Sequence, residues 1–138
     1  MNFFMPIKPP TTTAQEKKVA IVKGKPVFYN PPEVKSAKQK LLTALTPHKP
    51  KKPMTGPLKL TVIWMFEGGQ RHAEGEWRST RPDTDNLQKM LKDCMTEKGY
   101  WKDDAQVAME IIEKKWTRKI PGISVSIEEL GGKNERKE

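Results

Sequence analysis

The chain has 138 residues, with 26 Lys or Arg against 17 Asp or Glu, and its formal net charge is +9. This length predicts one domain with its own hydrophobic core. No apolar run approaches the roughly 20 residues of a membrane span, and no signal-peptide pattern is present near the start. The charge favours nucleic acid or an anionic membrane surface as partner. The single cysteine cannot form an internal disulfide, so we expect a protein of the reducing cytoplasm.

The first part of the sequence predicts three short strands. Residues 1–7 are β-prone up to two prolines, which block continued strand pairing. Two further apolar runs, at 19–22 and 26–29, flank the segment Lys23-Gly24-Lys25. A glycine turn between two such runs is typical of a β-hairpin.

A helix is predicted to follow, from Asn30 to about residue 45. Asn30 can cap this helix, Pro31 suits its first position, and Glu33 completes a capping box. Its apolar residues recur on one face, which predicts a buried stripe. A Thr-Pro pair ends the helix, and the basic, proline-rich segment at 48–53 indicates an exposed connection.

The clearest predicted strand covers residues 58–66, where every second residue is apolar and faces the same side. A polar loop follows at 67–82. Loops of this length are usually functional or disordered. We expect this one to be mobile in the free protein.

The second predicted helix runs from about Asp85 to Lys98, because its apolar residues follow the i, i+3, i+4, i+7 spacing of a buried stripe. Gly99 is a suitable residue to end it. Two more strands are predicted at 106–116 and 123–128.

Together these elements predict one α+β domain over residues 1–130, with a polar tail at 131–138 that is expected to fray. The expected architecture is a mixed, mostly antiparallel β-sheet packed with two main helices.

Four aspartates form two tight clusters on this basic chain: Asp83 with Asp85, and Asp103 with Asp104. Mg²⁺ prefers oxygen ligands, typically one or two carboxylates plus waters and substrate phosphate. Asp83 and Asp85 are two residues apart, so in extended backbone both side chains point the same way and can meet one ion. One helix and a turn separate Asp85 from Asp104, a path that can return Asp104 to the same ion. Grouped carboxylates facing a polyanion predict a metal-dependent nuclease.

Each cluster also has a purely structural interpretation. Asp85 can be the N-cap of the second helix, with Gln88 completing a capping box. Asp83 can be a turn residue beside a proline. Asp103 and Asp104 can form an Asx turn that starts a strand.

Other residues allow two interpretations as well. Lys89 can pair with Asp85 four residues earlier, or it can lie beside the scissile phosphate and offset transition-state charge. Tyr100 and Trp101 can stack on bases, or they can pack beneath the end of the helix. Cys94 lies on the apolar stripe and is predicted to belong to the core.

Two motifs on either side of the second helix carry a family resemblance. They are Asp83-x-Asp85-Asn86-Leu87-Gln88-Lys89 and Gly99-Tyr100-Trp101-x-Asp103-Asp104-Ala105-Gln106-Val107. In sequence and spacing they closely resemble the RusA family of Holliday-junction resolvases. The resemblance is strongest from Arg81 to Val107 and extends weakly into the following strand.

The resemblance implies a RusA-like homodimer that cuts four-way DNA junctions by paired symmetric nicks, in DNA recombination and repair. It implies Mg²⁺ as the cofactor, with Mn²⁺ as a possible substitute. By position, Asp83, Asp85 and Asp104 match the family's essential carboxylates, and Lys89 matches its catalytic lysine. Asp103 matches the adjacent acid and is a further candidate metal ligand.

Seven basic residues are candidates for contacts to the DNA backbone, which would bring salt dependence and little sequence information. They are Lys49, Lys51, Lys52, Arg71, Arg78, Arg81 and Lys92. The alternative function is a non-catalytic protein that binds branched DNA or structured RNA, and a metal nuclease acting on flaps or single strands is a third possibility. No membrane partner is expected.

Overall fold

The computed structural model describes residues 1–12, 18–29 and 32–131. The strands in these residues are β1 (Asn2–Met5), β2 (Lys18–Val22), β3 (Lys25–Tyr29), β4 (Leu58–Glu67), β5 (Val107–Thr117) and β6 (Gly122–Glu129). The helices are α1 (Pro32–Leu45) and α2 (Thr84–Glu97). Four strands form one sheet in the order β1-β6-β4-β5, and β2 pairs with β3 in a separate two-stranded sheet.

The larger sheet is mixed. The central strand β4 is antiparallel to β6 and parallel to β5, and β1 is antiparallel to β6. With two 14-residue helices in the described residues, this confirms the predicted α+β class and its mixed, mostly antiparallel sheet.

One face of the larger sheet carries the hydrophobic core. Alternate residues of β4, from Leu58 to Phe66, are buried, while those between them are half-exposed. The buried stripes of both helices belong to the same apolar cluster. Both helices therefore pack on one side of β4, as the two periodicities predict.

Local sequence determines several element boundaries. The hairpin turns at Lys23 and Gly24, whose φ angles are 52° and 79°, and this mirror-image turn matches the twist of paired strands. Gly99, with φ of 82°, follows Lys98, the C-cap residue of α2, in the position where a glycine was predicted to end the helix. The predicted cap at Asn30 and the tail at 132–138 lie outside the described residues.

The crossover between β4 and β5 determines where the two aspartate clusters lie. The two strands run in the same direction, so the chain must return along the sheet between them, and it does so through α2. The segment before α2 leaves the C-terminal end of β4, whereas the segment after α2 enters the N-terminal end of β5. Residues that precede and follow α2 therefore lie at opposite ends of the sheet.

Among the described residues, no helix combines the length and apolar character needed to cross a membrane.

Cys94 lies in the core, as predicted. It is fully buried on α2, and this burial raises the pKa of its thiol to about 11. Since the thiolate is the reactive form, we expect Cys94 to resist alkylation at pH 8 in the folded protein and to react fully in guanidinium. Mass spectrometry after a timed maleimide pulse measures both. Rapid labelling of the native protein would contradict the burial.

Candidate functional site

Two exposed carboxylates lie at the start of α2. Asp83 occupies the N-cap position, but its side chain makes no capping hydrogen bond. Asp85 lies in the first turn, where its Oδ1 accepts a hydrogen bond from the Asn86 amide at 3.0 Å. The interpretation of Asp85 as a cap with Gln88 is therefore wrong, because α2 begins at Thr84 and its N-cap position is two residues earlier, at Asp83. Neither carboxylate is used as a cap, so both can offer oxygen atoms to a cation.

The second cluster divides into a structural and a free aspartate. Asp103 caps a short 3₁₀ turn at 104–106, and its Oδ1 accepts from the Ala105 amide at 2.9 Å. Gln106 completes this capping box through its own side chain. This confirms the turn interpretation for Asp103, because one of its carboxylate oxygens is bonded to a backbone amide.

Asp104 is half-exposed and lies beside the C-terminal half of α2. It lines a shallow surface depression with residues of that helix, including Asp93 and Glu97. Asp83 and Asp85, in contrast, lie at the N-terminal end of the same helix. A 14-residue helix is about 21 Å long, so the two clusters are separated by most of its length.

The expected convergence of three aspartates is not found within one chain. Across the described residues, no three His, Cys, Asp or Glu side chains form a group that could hold a metal ion. A path through one helix and a turn was expected to bring Asp104 back to the start of that helix. The parallel pairing of β4 and β5 instead leaves Asp104 at the far end of the crossover.

Lys114 of β5 holds the backbone immediately before Asp83. Its Nζ donates to the carbonyl oxygens of Thr80 and Pro82, each at 2.7 Å. Burial is the main cause that lowers the pKa of Lys114, and the nearby positive charge of Arg78 adds to it, while Asp83 opposes it. The Lys114 ammonium thus ties the approach to α2 to the sheet.

Arg78 holds the same segment from the loop side. Its guanidinium lies 4.2 Å from the Phe66 ring centroid and 4.4 Å from that of Trp116, and it donates to the carbonyl oxygen of Arg81. Such cation–π contacts stabilise by roughly 0.5–2 kcal/mol. Burial lowers the pKa of Arg78. Arg78 therefore positions the loop, in a role that the sequence did not reveal.

The loop itself is attached to the exposed edge of β5. Gly75 donates its amide to the Trp116 carbonyl at 2.9 Å, and Trp116 donates to the Glu76 carbonyl at 2.8 Å. Arg78 donates to the Lys114 carbonyl at 2.9 Å. These bonds continue the sheet by a short antiparallel segment, which argues against mobility along the whole loop.

Two glutamates of the loop act as internal ties. The Glu74 carboxylate accepts from Thr117 Oγ1 at 2.9 Å and from the Arg118 amide at 2.7 Å, and these bonds lower the pKa of Glu74, the Arg118 bond most. The Glu76 carboxylate lies 2.8 Å from His72 Nδ1, and this bond is the main cause that lowers the pKa of Glu76. Both loop glutamates thus help to attach the loop, and their negative charges are engaged in internal hydrogen bonds.

A buried chain of polar side chains joins α2 to the sheet, and no pattern in the sequence predicts it. Gln88 is 2% exposed. Its Oε1 accepts from Trp64 Nε1 at 2.7 Å, and its Nε2 donates to Glu110 at 2.7 Å. Glu110 also accepts from Lys92 Nζ at 3.1 Å. These bonds satisfy each buried group and fix α2, and with it Asp85, relative to β4 and β5.

The predicted DNA-binding residues fall into two groups. Five are exposed: Lys49, Lys51, Lys52, Arg71 and Arg81. Arg78 and Lys92 are instead engaged within the protein, so the structure assigns them positioning roles. The Lys89 side chain is 66% exposed, and its Nζ lies 3.8 Å from Asp93 Oδ2. Lys89 therefore pairs with Asp93, four residues later, in place of the expected pairing with Asp85.

The structure decides between the two interpretations of the aromatic residues at 100 and 101. Tyr100 and Trp101 are buried, and they bond to the Leu45 carbonyl at 2.6 Å and to Thr96 Oγ1 at 2.7 Å. Their packing interpretation is confirmed, and they cannot stack on bases in this conformation. Trp77 of the loop is 64% exposed. Trp77 lies in a polar stretch without helical or strand periodicity, so the sequence pattern does not single it out.

We expect the loop attachment to be visible in amide exchange. The amides of Gly75 and Arg78 should exchange roughly ten-fold or more slowly than that of Ser79, since only hydrogen-bonded amides require an opening event. Arg78→Gln should remove the stacking on Phe66 and Trp116 and speed exchange at Gly75. Equal, fast exchange at all three amides in the native chain would support the predicted mobile loop instead.

Comparison with known proteins agrees with the resemblance. The family model described as "Endodeoxyribonuclease RusA" matches residues 6–128. A protein of Lactococcus phage r1t named "Crossover junction endodeoxyribonuclease rusA" is 38% identical over 98 residues, which cover 70% of this chain and 73% of that protein. The chain belongs to the RusA family of endodeoxyribonucleases and is therefore a nuclease.

Proposed function

We propose that this nuclease is a Mg²⁺-dependent enzyme that resolves four-way DNA junctions by paired nicks, as a homodimer in the cytoplasm. The phage relative carries the name of a crossover junction endodeoxyribonuclease. The observation that carries the proposal is a pair of aspartates, Asp83 and Asp85, that make no capping hydrogen bond at the start of α2. Lys114 and Arg78 hold the segment before this helix in place. Two exposed carboxylates on a chain of net charge +9 suit a divalent cation that also contacts a phosphate of bound nucleic acid.

The residues present fit a hard divalent cation. Mg²⁺ is bound in proteins by one or two carboxylates together with substrate phosphate, and Asp83 and Asp85 supply such oxygens. When bound, the ion supplies Lewis-acid chemistry toward a phosphodiester and makes water more acidic. Lys89 is exposed one turn after Asp85 and would offset the negative charge that develops on the phosphate. Asp103, already bonded to the backbone, would act next to Asp104 as an orienting residue.

The separation of the clusters supports a dimeric site. One chain keeps Asp104 most of a helix length from Asp83 and Asp85. A two-fold axis that sets two α2 helices side by side and antiparallel would bring the start of one helix to the end of the other. Each site would then combine Asp83 and Asp85 with Asp104 of the partner subunit. A four-way junction has two-fold symmetry too, so such a dimer would present one site to each of two opposed strands.

The exposed basic residues are proposed to hold the DNA backbone. Lys49, Lys51 and Lys52 lie on the connection before β4, which the Gln106 side chain fixes by donating to the Met54 and Gly56 carbonyls at 3.1 and 3.0 Å. Contacts of such lysines to phosphates give salt dependence without sequence preference.

We expect metal removal to abolish cutting without abolishing binding. Labelled four-way junction and a matched linear duplex are incubated with the protein in Mg²⁺ and in EDTA at fixed salt. Paired symmetric nicks in the junction should appear with Mg²⁺ only, and binding should persist in EDTA. Junction binding with no cutting in Mg²⁺ or Mn²⁺ would favour the non-catalytic branched-DNA binding protein. Cutting of flaps or single strands in preference to the junction would instead indicate a different branch specificity.

A further inference from the structure

We propose that Trp77 is a DNA-stacking residue that receives an unpaired or unstacked base at the branch point of the DNA substrate. The inference rests on the proposed function, because it names the part of the substrate that the loop would meet. It concerns binding, and Trp77 takes no part in bond cleavage.

The exposure of Trp77 is unusual for its residue type. An indole is among the largest apolar side chains, and burying it would stabilise the fold, yet Trp77 is 64% exposed. The other tryptophans of the chain are buried or half-buried. A single exposed apolar side chain is ordinary on a protein surface, but tryptophan is enriched at interaction surfaces because its ring joins a large apolar body to a polar N–H group.

The backbone presents Trp77 rigidly. The residues on either side of it are hydrogen-bonded to β5, through Trp116 to the Glu76 carbonyl at 2.8 Å and through Arg78 to the Lys114 carbonyl at 2.9 Å. Trp77 thus lies between the two hydrogen bonds that attach the loop to β5, and it forms an antiparallel bridge pair with Lys115. An aromatic side chain with two rotatable bonds on fixed backbone loses little entropy when it binds.

The surroundings of Trp77 suit a polyanion. Lys115 Nζ lies 4.7 Å from the Trp77 ring centroid. The loop at 67–82 and residues 113–119 together carry seven basic and four acidic residues. Arg78 and Lys114 are engaged inside the protein, and Glu74 and Glu76 are engaged by internal hydrogen bonds, which leaves five basic and two acidic residues. A basic surface with an exposed aromatic ring is the usual platform for single-stranded or unstacked nucleic acid.

Trp77 also lies at the same end of the sheet as the first aspartate pair. Lys114, adjacent to the Lys115 that pairs with Trp77, donates to the Pro82 carbonyl directly before Asp83. In a continuous duplex every base is already stacked, whereas at a branch point bases can be splayed from their neighbours. A ring presented at the same end of the sheet as the cutting site would therefore distinguish branched from linear DNA.

The test compares Trp77→Ala, Trp77→Phe and Ile120→Ala with the native chain. Ile120 is 65% exposed, so its variant controls for loss of an equally exposed apolar side chain. Affinities for a four-way junction and a linear duplex are measured in EDTA at fixed salt. Loss of one base stack costs about 1–3 kcal/mol, or roughly 5- to 150-fold in affinity. We expect that loss for Trp77→Ala on the junction, at most about two-fold on duplex, and recovery in Trp77→Phe.

A second readout separates stacking from a structural effect. A 2-aminopurine base at the branch point should fluoresce more strongly in the Trp77→Ala complex than in the native complex, because stacking on indole quenches it. Amide exchange at Gly75 and Arg78 should stay unchanged in the variant, which shows that the loop remains attached.

The outcomes are distinguishable. If the native chain prefers the junction and Trp77→Ala keeps the full preference, or if Ile120→Ala loses as much, the stacking inference is wrong while the proposed function stands. If Trp77→Ala changes the oligomeric state in size-exclusion chromatography, the ring contacts a second copy of the chain and the inference is wrong. If the native chain binds junction and duplex equally, the proposed junction specificity fails, and the inference fails with it.

Discussion

Replacing Asp85 with asparagine is expected to lower the rate of junction cleavage at least about 100-fold while junction affinity is retained. Asparagine has the same size but lacks the charge that attracts Mg²⁺, and metal charge stabilisation amounts to several kcal/mol in the transition state. The Asp85 carboxylate is exposed and bonds only to the neighbouring Asn86 amide among the described residues, so the fold should tolerate the change. Single-turnover nicking of the junction at saturating protein measures the effect.

The matched control is Glu33→Gln. Glu33 is the acidic residue in the first turn of α1, as Asp85 is in α2, so both variants remove a carboxylate from a helix start and lose a similar 0.3–1 kcal/mol of helix-dipole stabilisation at most. Glu33→Gln should cut at the native rate. Native cutting by Asp85→Asn would remove Asp85 from the metal site and would support a merely structural aspartate at this position.

Mixing chains that carry Asp85→Asn with chains that carry Asp104→Asn is expected to restore nicking, although each variant alone is inactive. In the proposed dimer, a mixed pair has one site with both substitutions and one site with neither. After random exchange, half of the dimers are mixed, so about a quarter of the native number of intact sites returns. The restored activity should appear as nicks in one strand without the opposed nick, since each mixed dimer has a single working site.

A double variant, Asp85→Asn with Asp104→Asn, serves as the control partner. Mixed with Asp85→Asn it leaves no intact site in either arrangement, so no activity should return. If the two single variants form mixed dimers by mass spectrometry and still cut nothing, the three aspartates act within one chain after a rearrangement. If Asp104→Asn alone cuts normally, Asp104 is not part of the site.

Most of the fold could be predicted from the sequence because its elements are defined locally. The stripe of α2, the alternation in β4 and β6 and the Lys23-Gly24 turn each have a single good structural solution. What local pattern does not contain is the direction in which β5 pairs with β4. Parallel pairing is a property of the whole crossover, and it placed Asp104 away from Asp83 and Asp85.

The candidate site could be proposed in composition and not in geometry. The aspartates and Lys89 could be named because their motifs resemble those of the RusA family. Arg78 and Lys92 could not be separated from surface cations, because only the folded structure places Arg78 over Phe66 and Trp116, and Lys92 against Glu110. Long basic side chains have the reach to turn inward or outward, and sequence does not determine which.

The position of β4 in the sheet has a consequence for protein synthesis. The two strands that pair with β4, β5 and β6, come later in the chain than β4. Strand β1 also pairs only with β6 in this sheet. The edge of β4 that pairs with β6 therefore stays without its hydrogen-bond partner on the ribosome until residues beyond 122 have emerged. Strands that pair over long sequence distances form late, and an unpaired strand edge promotes aggregation, so we expect a chain truncated before β6 to aggregate instead of folding into a shorter nuclease.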